Sequence, residues 1–360
     1  MPKLFFEEFV LKKLLLLTAA LALPVTLGAC GQVSTEAQEE NRELSASLVG
    51  AGASFPAPLY QRWSAEYNAE QPDVQISYQS VGSGAGVEQF TQETVDFGAS
   101  DVAMSEEKVQ AVEGEVVFAP MTAGGIVLAY NVEGVDNLQL SREVYTDILL
   151  GNITNWSDPA IAEINEGVAL PDQEITVVYR SDGSGTTGVF TKHLADISPE
   201  FSEQVGEGKT VAWPVGVGAK GNEGVTAQLL QTEGAIGYVE YGYAQSQDIS
   251  MAALENSSGN YVEPTFESMS ETLSAVELPE DLVAFITDPE GENSYPVVTY
   301  TWLLLYPEYA DQAKLDALKG FLNWSLEEGQ EFSQELGYIP LPENVVERVQ
   351  AEVETIELAQ

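Results

Sequence analysis

The sequence predicts an α/β protein that folds as two lobes. Its 360 residues exceed the usual length of one domain, about 100–200 residues. Its apolar fraction of 44% supplies material for two cores. Short apolar runs alternate with stretches of helical apolar spacing, which favours an α/β architecture with largely buried sheets.

Five apolar runs are predicted strands, at 74–78, 126–130, 175–179, 235–239 and 297–305. The segment after Pro56 is a predicted helix, because large apolar side chains recur there on one helical face. These side chains are expected in the core: Leu59, Tyr60, Trp63 and Tyr67. Two more helices are predicted near the carboxyl end, at 315–330 and after Pro342.

The first 30 residues have the pattern of an export signal. Lysines precede an apolar run at 14–23 that is too short to span a bilayer. The tetrapeptide ending at Cys30 resembles the lipobox of bacterial lipoproteins, and Cys30 is the only cysteine, which excludes intrachain disulfides. We expect a lipid anchor at Cys30, a flexible tether at 31–45, and a protein exported to the periplasm or cell surface.

The charge balance excludes one class of partner. Acidic residues number 57 and basic residues 14, which gives a formal net charge of −43. Nucleic acids are recognised largely through lysine and arginine contacts to phosphates. We therefore expect no nucleic-acid partner, and the chain has no Cys-clustered metal site and no implied cofactor.

Four short segments carry the candidate ligand contacts: 50–56, 82–86, 99–101 and 180–187. Three of them contain glycines and open predicted helices, where free backbone N–H groups favour an anion. Ser54 is the predicted N-cap of the first of these helices, since Pro56 is tolerated in its first turn. Ser83, Ser184 and Thr186 add hydroxyl donors.

Arg180 and Asp101 indicate which kind of anion the site would bind. Arg180 follows a predicted strand, where α/β sheets bind ligands, and Asp182 can hold its guanidinium fork in orientation for an oxyanion. Asp101 is a carboxylate among anion donors, which makes sense only if the ligand itself carries a proton. Phosphate near neutral pH keeps a proton and sulfate does not, so Asp101 would select phosphate.

These segments resemble the phosphate-binding protein of bacterial high-affinity phosphate ABC transporters. The resemblance covers about 47–351, including 94–101, 218–224 and 234–241. It implies a two-lobe, type II-like periplasmic-binding-protein fold whose ligand cleft lies between lobes joined by hinge strands. The lobes it implies are 46–122 plus 298–360 and 123–297, with hinges near 121–125 and 296–299.

The resemblance also implies the site and the partners. It implies a monomer that binds inorganic phosphate and delivers it to transmembrane permease subunits served by separate ATPase subunits. It places Asp182 as the partner of the binding arginine. The phosphate contacts it implies are Ser54, Phe55 (through its backbone N–H), Ser83, Asp101, Arg180, Ser184, Gly185 and Thr186.

Two enzyme readings compete with this binding role. A serine phosphatase would use Ser184 with His193, the only histidine, but the turn lacks the Gly-x-Ser-x-Gly elbow. Nine residues of continuous helix separate the two by about 13 Å, so His193 is expected on a helix surface.

The glycines at 216–221, with Glu240 beyond, match a dinucleotide fingerprint, but no long strand precedes them. No ATP-binding P-loop motif occurs.

Overall fold

The computed structural model describes residues 45–112 and 115–360. The strands found there are β1 (Ala46–Gly52), β2 (Val74–Ser80), β3 (Phe97–Ser100), β4 (Val117–Asn131), β5 (Gln139–Leu140), β6 (Thr176–Arg180), β7 (Val217–Ala219), β8 (Ala235–Glu240), β9 (Ser250–Met251), β10 (Ala253–Glu255), β11 (Tyr261–Val262), β12 (Val298–Leu305), β13 (Glu308–Tyr309) and β14 (Glu357–Leu358).

The α-helices alternate with these strands. They are α1 (Ala57–Glu70), α2 (Ser83–Thr91), α3 (Glu106–Gln110), α4 (Arg142–Leu150), α5 (Pro159–Ile164), α6 (Gly185–Ile197), α7 (Pro199–Gln204), α8 (Gly221–Gln231), α9 (Tyr241–Gln245), α10 (Phe266–Ser274), α11 (Gln312–Leu326) and α12 (Glu343–Glu354). Two short 3₁₀ turns, Glu328–Phe332 and Gln334–Leu336, lie between the last two helices.

The main sheet has two parts that share one long strand. Its strand order is β2-β1-β3-β12-β4-β8-β6-β7, and β9 pairs with β4. The strands β1, β2 and β3 are parallel to one another, as are β6, β7 and β8, while β12 runs antiparallel to both β3 and β4. We call the part around β1–β3 and β12 the first lobe, and the part around β6–β8 the second lobe.

The strand β4 changes partner in its middle. Its residues up to Gly125 pair with β12, and from Ile126 onward they pair with β8. The predicted hinge segments therefore lie where the two parts of the sheet meet. The lobe boundaries predicted from the resemblance stay a prediction.

Apolar burial explains why the predicted elements form. The aromatic face of α1 packs into the core as predicted, with Trp63 and Tyr60 stacked at 5.4 Å between ring centroids. The helix predicted at 315–330 ends earlier, at Leu326. The reason is tertiary: the Trp63 indole donates to the Gly329 carbonyl at 2.6 Å, and the chain there is a 3₁₀ turn.

Two predicted features of the amino-terminal region lie outside the described residues. They are the signal with Cys30 and all but the last residue of the predicted tether. Within 45–112 and 115–360, no helix is both long and apolar enough to cross a membrane.

Candidate functional site

The eight predicted contact residues are all buried and lie in segments that meet between the lobes. The segment at 82–86 touches the one at 180–187 directly, since the Gly84 N–H donates to the Gly183 carbonyl at 2.7 Å. A Cβ added at Gly185 would lie 2.6 Å from Asp101 Oδ2 and closer still to Ser83 Oγ. Only glycine therefore fits at this crossing of the two lobes.

The segments converge because each lobe directs the carboxyl ends of its parallel strands towards the middle of β4. α1 follows β1, α2 follows β2, Asp101 follows β3, and Arg180 is the last residue of β6. The parallel strands of the two lobes run in opposite directions, because β12 is antiparallel to β3 and β4, and β4 is antiparallel to β8. Their carboxyl ends, where open α/β sheets bind ligands, therefore face each other across the middle of β4. The order of strands in the sequence thus builds the site.

Arg180 is buried and held by a bidentate ion pair. Its Nε donates to Asp182 Oδ1 at 2.8 Å and its Nη2 to Oδ2 at 2.7 Å, while Nη1 donates to Thr186 Oγ1 at 3.4 Å. Burial alone would raise the pKa of Asp182, but the hydrogen bonds and charge of Arg180 outweigh it and hold that pKa below its usual value. Three of the five guanidinium N–H groups are engaged in this way, which leaves two donors for an oxyanion.

Asp101 is a buried carboxylate within this donor-rich cluster. Thr301 of β12 donates its hydroxyl hydrogen to Asp101 Oδ1 at 2.8 Å, and Ser83 Oγ lies 3.5 Å from Oδ2. Burial raises the pKa of Asp101 to about 6, although the hydrogen bond from Thr301 and the charge of Arg180 lower it. The carboxylate is therefore ionised at neutral pH, and it is poised to accept a proton or hydrogen bond.

The helix starts at the site differ from one another. Ser184 is the N-cap of α6, and its Oγ accepts from the Thr187 N–H at 3.0 Å. The prediction that Ser54 caps α1 is wrong, because the cap position is Pro56 and makes no side-chain hydrogen bond. The Ser54 Oγ instead accepts two hydrogen bonds from Asn222, which lies on the second lobe.

Comparison with known proteins identifies the family. Residues 35–328 match a family model described as a PBP superfamily domain. The phosphate-binding protein PstS of Pasteurella multocida is 41% identical over 313 residues, which cover 86% of this chain and 90% of that protein. PstS of Methanocaldococcus jannaschii is 37% identical over 364 residues, covering 93% of each chain. This chain belongs to the PstS family of phosphate-binding proteins.

The fold is shared with solved structures as well. A phosphate-binding protein from Stenotrophomonas maltophilia superposes with a TM-score of 0.68 at 21% sequence identity, over 85% of this chain and 94% of that one. The sequence-based expectation of a two-lobe periplasmic-binding fold is confirmed.

The expectation that His193 lies on a helix surface is wrong. His193 is only 1% exposed, and its Nε2 forms a 2.9 Å hydrogen bond with the Tyr145 hydroxyl. Burial lowers the pKa of His193 to about 4. Since Ser184 caps α6 and His193 is hydrogen-bonded to Tyr145, these two residues do not form a nucleophile and base pair.

The structure does not support the dinucleotide-binding hypothesis for the glycines at 216–221 either. The glycines in question flank β7, a three-residue strand at the edge of the sheet, rather than a long buried strand. Glu240 is fully buried and caps α9 through a 2.9 Å hydrogen bond from the Gly242 N–H. In the described part of the chain, no group of three or more His, Cys, Asp or Glu residues could hold a metal ion.

Two residues that contact the predicted site, Asn222 and Thr301, were not predicted from the sequence. Asn222 falls within the glycine-rich stretch 218–224 that carries part of the resemblance, so a signal for it existed. Thr301 lies in an apolar strand and contacts Asp101 from 200 positions away. No local pattern in the sequence points to that contact.

Proposed function

We propose that this chain binds inorganic phosphate between its two lobes and delivers it to an ABC importer. The observation that carries the proposal is Asp101, a buried carboxylate surrounded by hydroxyl, guanidinium and backbone N–H groups that can donate hydrogen bonds to an anion. Family membership and the convergence of the eight predicted residues support the same function.

The donors would offset the hydration that a dianion loses on burial. Hydrogen-bond donors would contact the anion directly. They are the backbone N–H groups at the starts of α2 and α6, several hydroxyls and the two free N–H groups of Arg180. The strongly negative charge of the rest of the protein does not prevent this. At physiological ionic strength the Debye length is about 8 Å, so exposed carboxylates are screened while groups in contact with the ligand are not.

Asp101 would set the choice between phosphate and sulfate. A phosphate oxygen that bears a proton can donate to the carboxylate, whereas sulfate has no proton at neutral pH and would face it with an unpaired negative charge. Discrimination against sulfate would therefore come from one hydrogen-bond acceptor, Asp101, which repels a fully ionised anion.

We further propose how the protein is placed and how it works. The chain is a monomer, it is exported, and the thiol of Cys30 carries a lipid that tethers it to a membrane next to the permease subunits. Lobe closure about the middle of β4 would bury the ligand. A Cys30→Ser variant should then be released into the soluble fraction, and continued membrane association would contradict the anchor.

Equilibrium binding tests the ligand proposal. Calorimetry on the purified protein, refolded from denaturant to remove any bound ligand, should show one phosphate site and no measurable sulfate binding at pH 8. Equal affinity for both anions would overturn the role of Asp101. An absence of phosphate binding would overturn the function itself.

A further inference from the structure

Asn222 contacts both lobes of the site at once. It lies in the first turn of α8 and is fully buried. Its backbone N–H and its Nδ2 donate to Ser54 Oγ at 3.1 and 3.0 Å, and Nδ2 also donates to Thr186 Oγ1 at 3.3 Å. One asparagine therefore hydrogen-bonds to a hydroxyl of the first lobe and to one of the second lobe.

The orientation of the Asn222 amide is fixed by the main chain. Its Oδ1 accepts a hydrogen bond from the Glu240 N–H at 3.1 Å. A backbone N–H can only donate, so the atom facing it must be the amide oxygen. Both hydrogens of Nδ2 then point to the Ser54 and Thr186 hydroxyls.

The two hydroxyls are left with a single hydrogen-bonding capacity each. A hydroxyl has one hydrogen and two acceptor lone pairs. Ser54 Oγ accepts twice from Asn222, and Thr186 Oγ1 accepts from Asn222 and from Arg180 Nη1. Neither hydroxyl donates to another of the described residues. What remains to each is the hydrogen, which can only be donated.

We propose that Asn222 is a positioning residue that makes the Ser54 and Thr186 hydroxyls obligate donors to the bound anion. This rests on the proposed function of the same site. The ligand oxygens that face these two hydroxyls must then be unprotonated. A protonated ligand oxygen would place its own O–H against the O–H of Ser54 or Thr186. The single proton of the phosphate is thereby directed to the remaining acceptor, Asp101. Asn222 and Asp101 together assign a protonation state to each side of the anion.

The test compares Asn222→Leu with a matched control. Asn256 is another buried asparagine, and its Nδ2 donates only to carbonyls of Gly291, Glu292 and Ser294. Calorimetry should show that Asn222→Leu weakens phosphate by about 10- to 100-fold, the effect expected from one or two hydrogen bonds to a charged group. Asn256→Leu should lower the melting temperature and leave phosphate affinity within about twofold.

A second comparison separates positioning from a structural role. In a Ser54→Ala/Thr186→Val background, where both hydroxyls are gone, Asn222→Leu should weaken phosphate by less than about threefold further, since coupled residues are not additive. A full additional loss there would show that Asn222 acts by holding the fold or the lobes, and would overturn the proposal. So would an unchanged affinity in Asn222→Leu alone.

A further variant keeps the test decisive if Asn222→Leu does not fold. Asn222→Asp retains the size of the side chain but replaces the Nδ2 donor by an acceptor, so the two hydroxyls would turn towards it and away from the anion. Phosphate affinity should fall by at least about 100-fold, and near-normal affinity would contradict the proposal. If the unmutated protein does not bind phosphate, the proposed function fails, whereas a binding protein that is indifferent to these changes refutes only this inference.

Discussion

Replacing Asp101 by asparagine should stabilise the ligand-free protein. Burial raises the pKa of Asp101 from 3.8 to about 6, so its ionised form is destabilising in the folded state by about 3 kcal/mol, at about 1.4 kcal/mol per pH unit. Asparagine removes the charge and still offers an oxygen to the Thr301 hydroxyl, 2.8 Å away. The gain in free energy of unfolding should therefore approach that magnitude at pH 8.

The pH dependence gives the sign of the effect. Because the folded pKa of Asp101 is raised, this group costs the unmutated protein nothing below about pH 4, and the loss of about 3 kcal/mol builds up as the pH rises through about 6. The difference between Asp101→Asn and the unmutated protein should accordingly vanish near pH 4 and reach its maximum above pH 7. Denaturant unfolding of the ligand-free proteins across this range measures it.

Asp182→Asn is the control of opposite sign. The pKa of Asp182 is held down by Arg180, so its charge is stabilising and its removal should destabilise the protein at pH 8. If Asp101→Asn were as stable as the unmutated protein, or less stable, at pH 8, the argument that the site stores an unfavourable charge would be refuted.

Four other predictions concern binding and titration. Arg180→Ala should weaken phosphate at least about tenfold, or about 1.4 kcal/mol, by calorimetry; an unchanged affinity would remove Arg180 from the site. Sulfate binding, which is too weak to measure at pH 8, should strengthen by up to about 100-fold towards pH 5, because Asp101, with its pKa of about 6, becomes neutral and can donate, and Asp101→Asn should bind sulfate without this dependence. The single histidine gives an unambiguous NMR titration, and a pKa near 6.5 rather than about 4 would contradict the burial of His193. Stopped-flow association of phosphate should slow at low salt, because the net charge of −43 then repels the anion, and a faster rate would reverse that conclusion.

Local patterns predicted the elements whose cause is local. The helix α1, the strands β2, β6, β8 and β12, and the turns before α2 and α6 follow from apolar spacing and from glycine, whereas β1, β3 and β7 were not predicted. The strand β4 was predicted only from Ile126, because its first part contains Pro120, Gly124 and Gly125. That part is a strand because β12 pairs with it from Val117 to Gly125, with one bulge at Met121.

Long-range contacts explain what the sequence could not predict. Local chemistry favoured Ser54 as a helix cap, but Asn222, 168 positions away, takes its hydroxyl. Histidine side chains are often exposed, yet His193 shares the buried face of α6 with Val189 and Phe190, and Tyr145 of α4 packs over it. The residues of the site lie together because the parallel strands of both lobes end at the middle of β4. The ligand roles of those residues stay a proposal.

Arsenate offers the most direct test of the arrangement at the centre of this account. It is tetrahedral and protonated like phosphate, and arsenic scatters anomalously, so a crystal grown with arsenate locates the anion without ambiguity. We predict one strong peak enclosed by Ser54, Ser83, Asp101, Arg180 and Thr186, with one arsenate oxygen within about 2.8 Å of Asp101. A peak elsewhere, or an anion whose oxygens avoid Asp101, would contradict it.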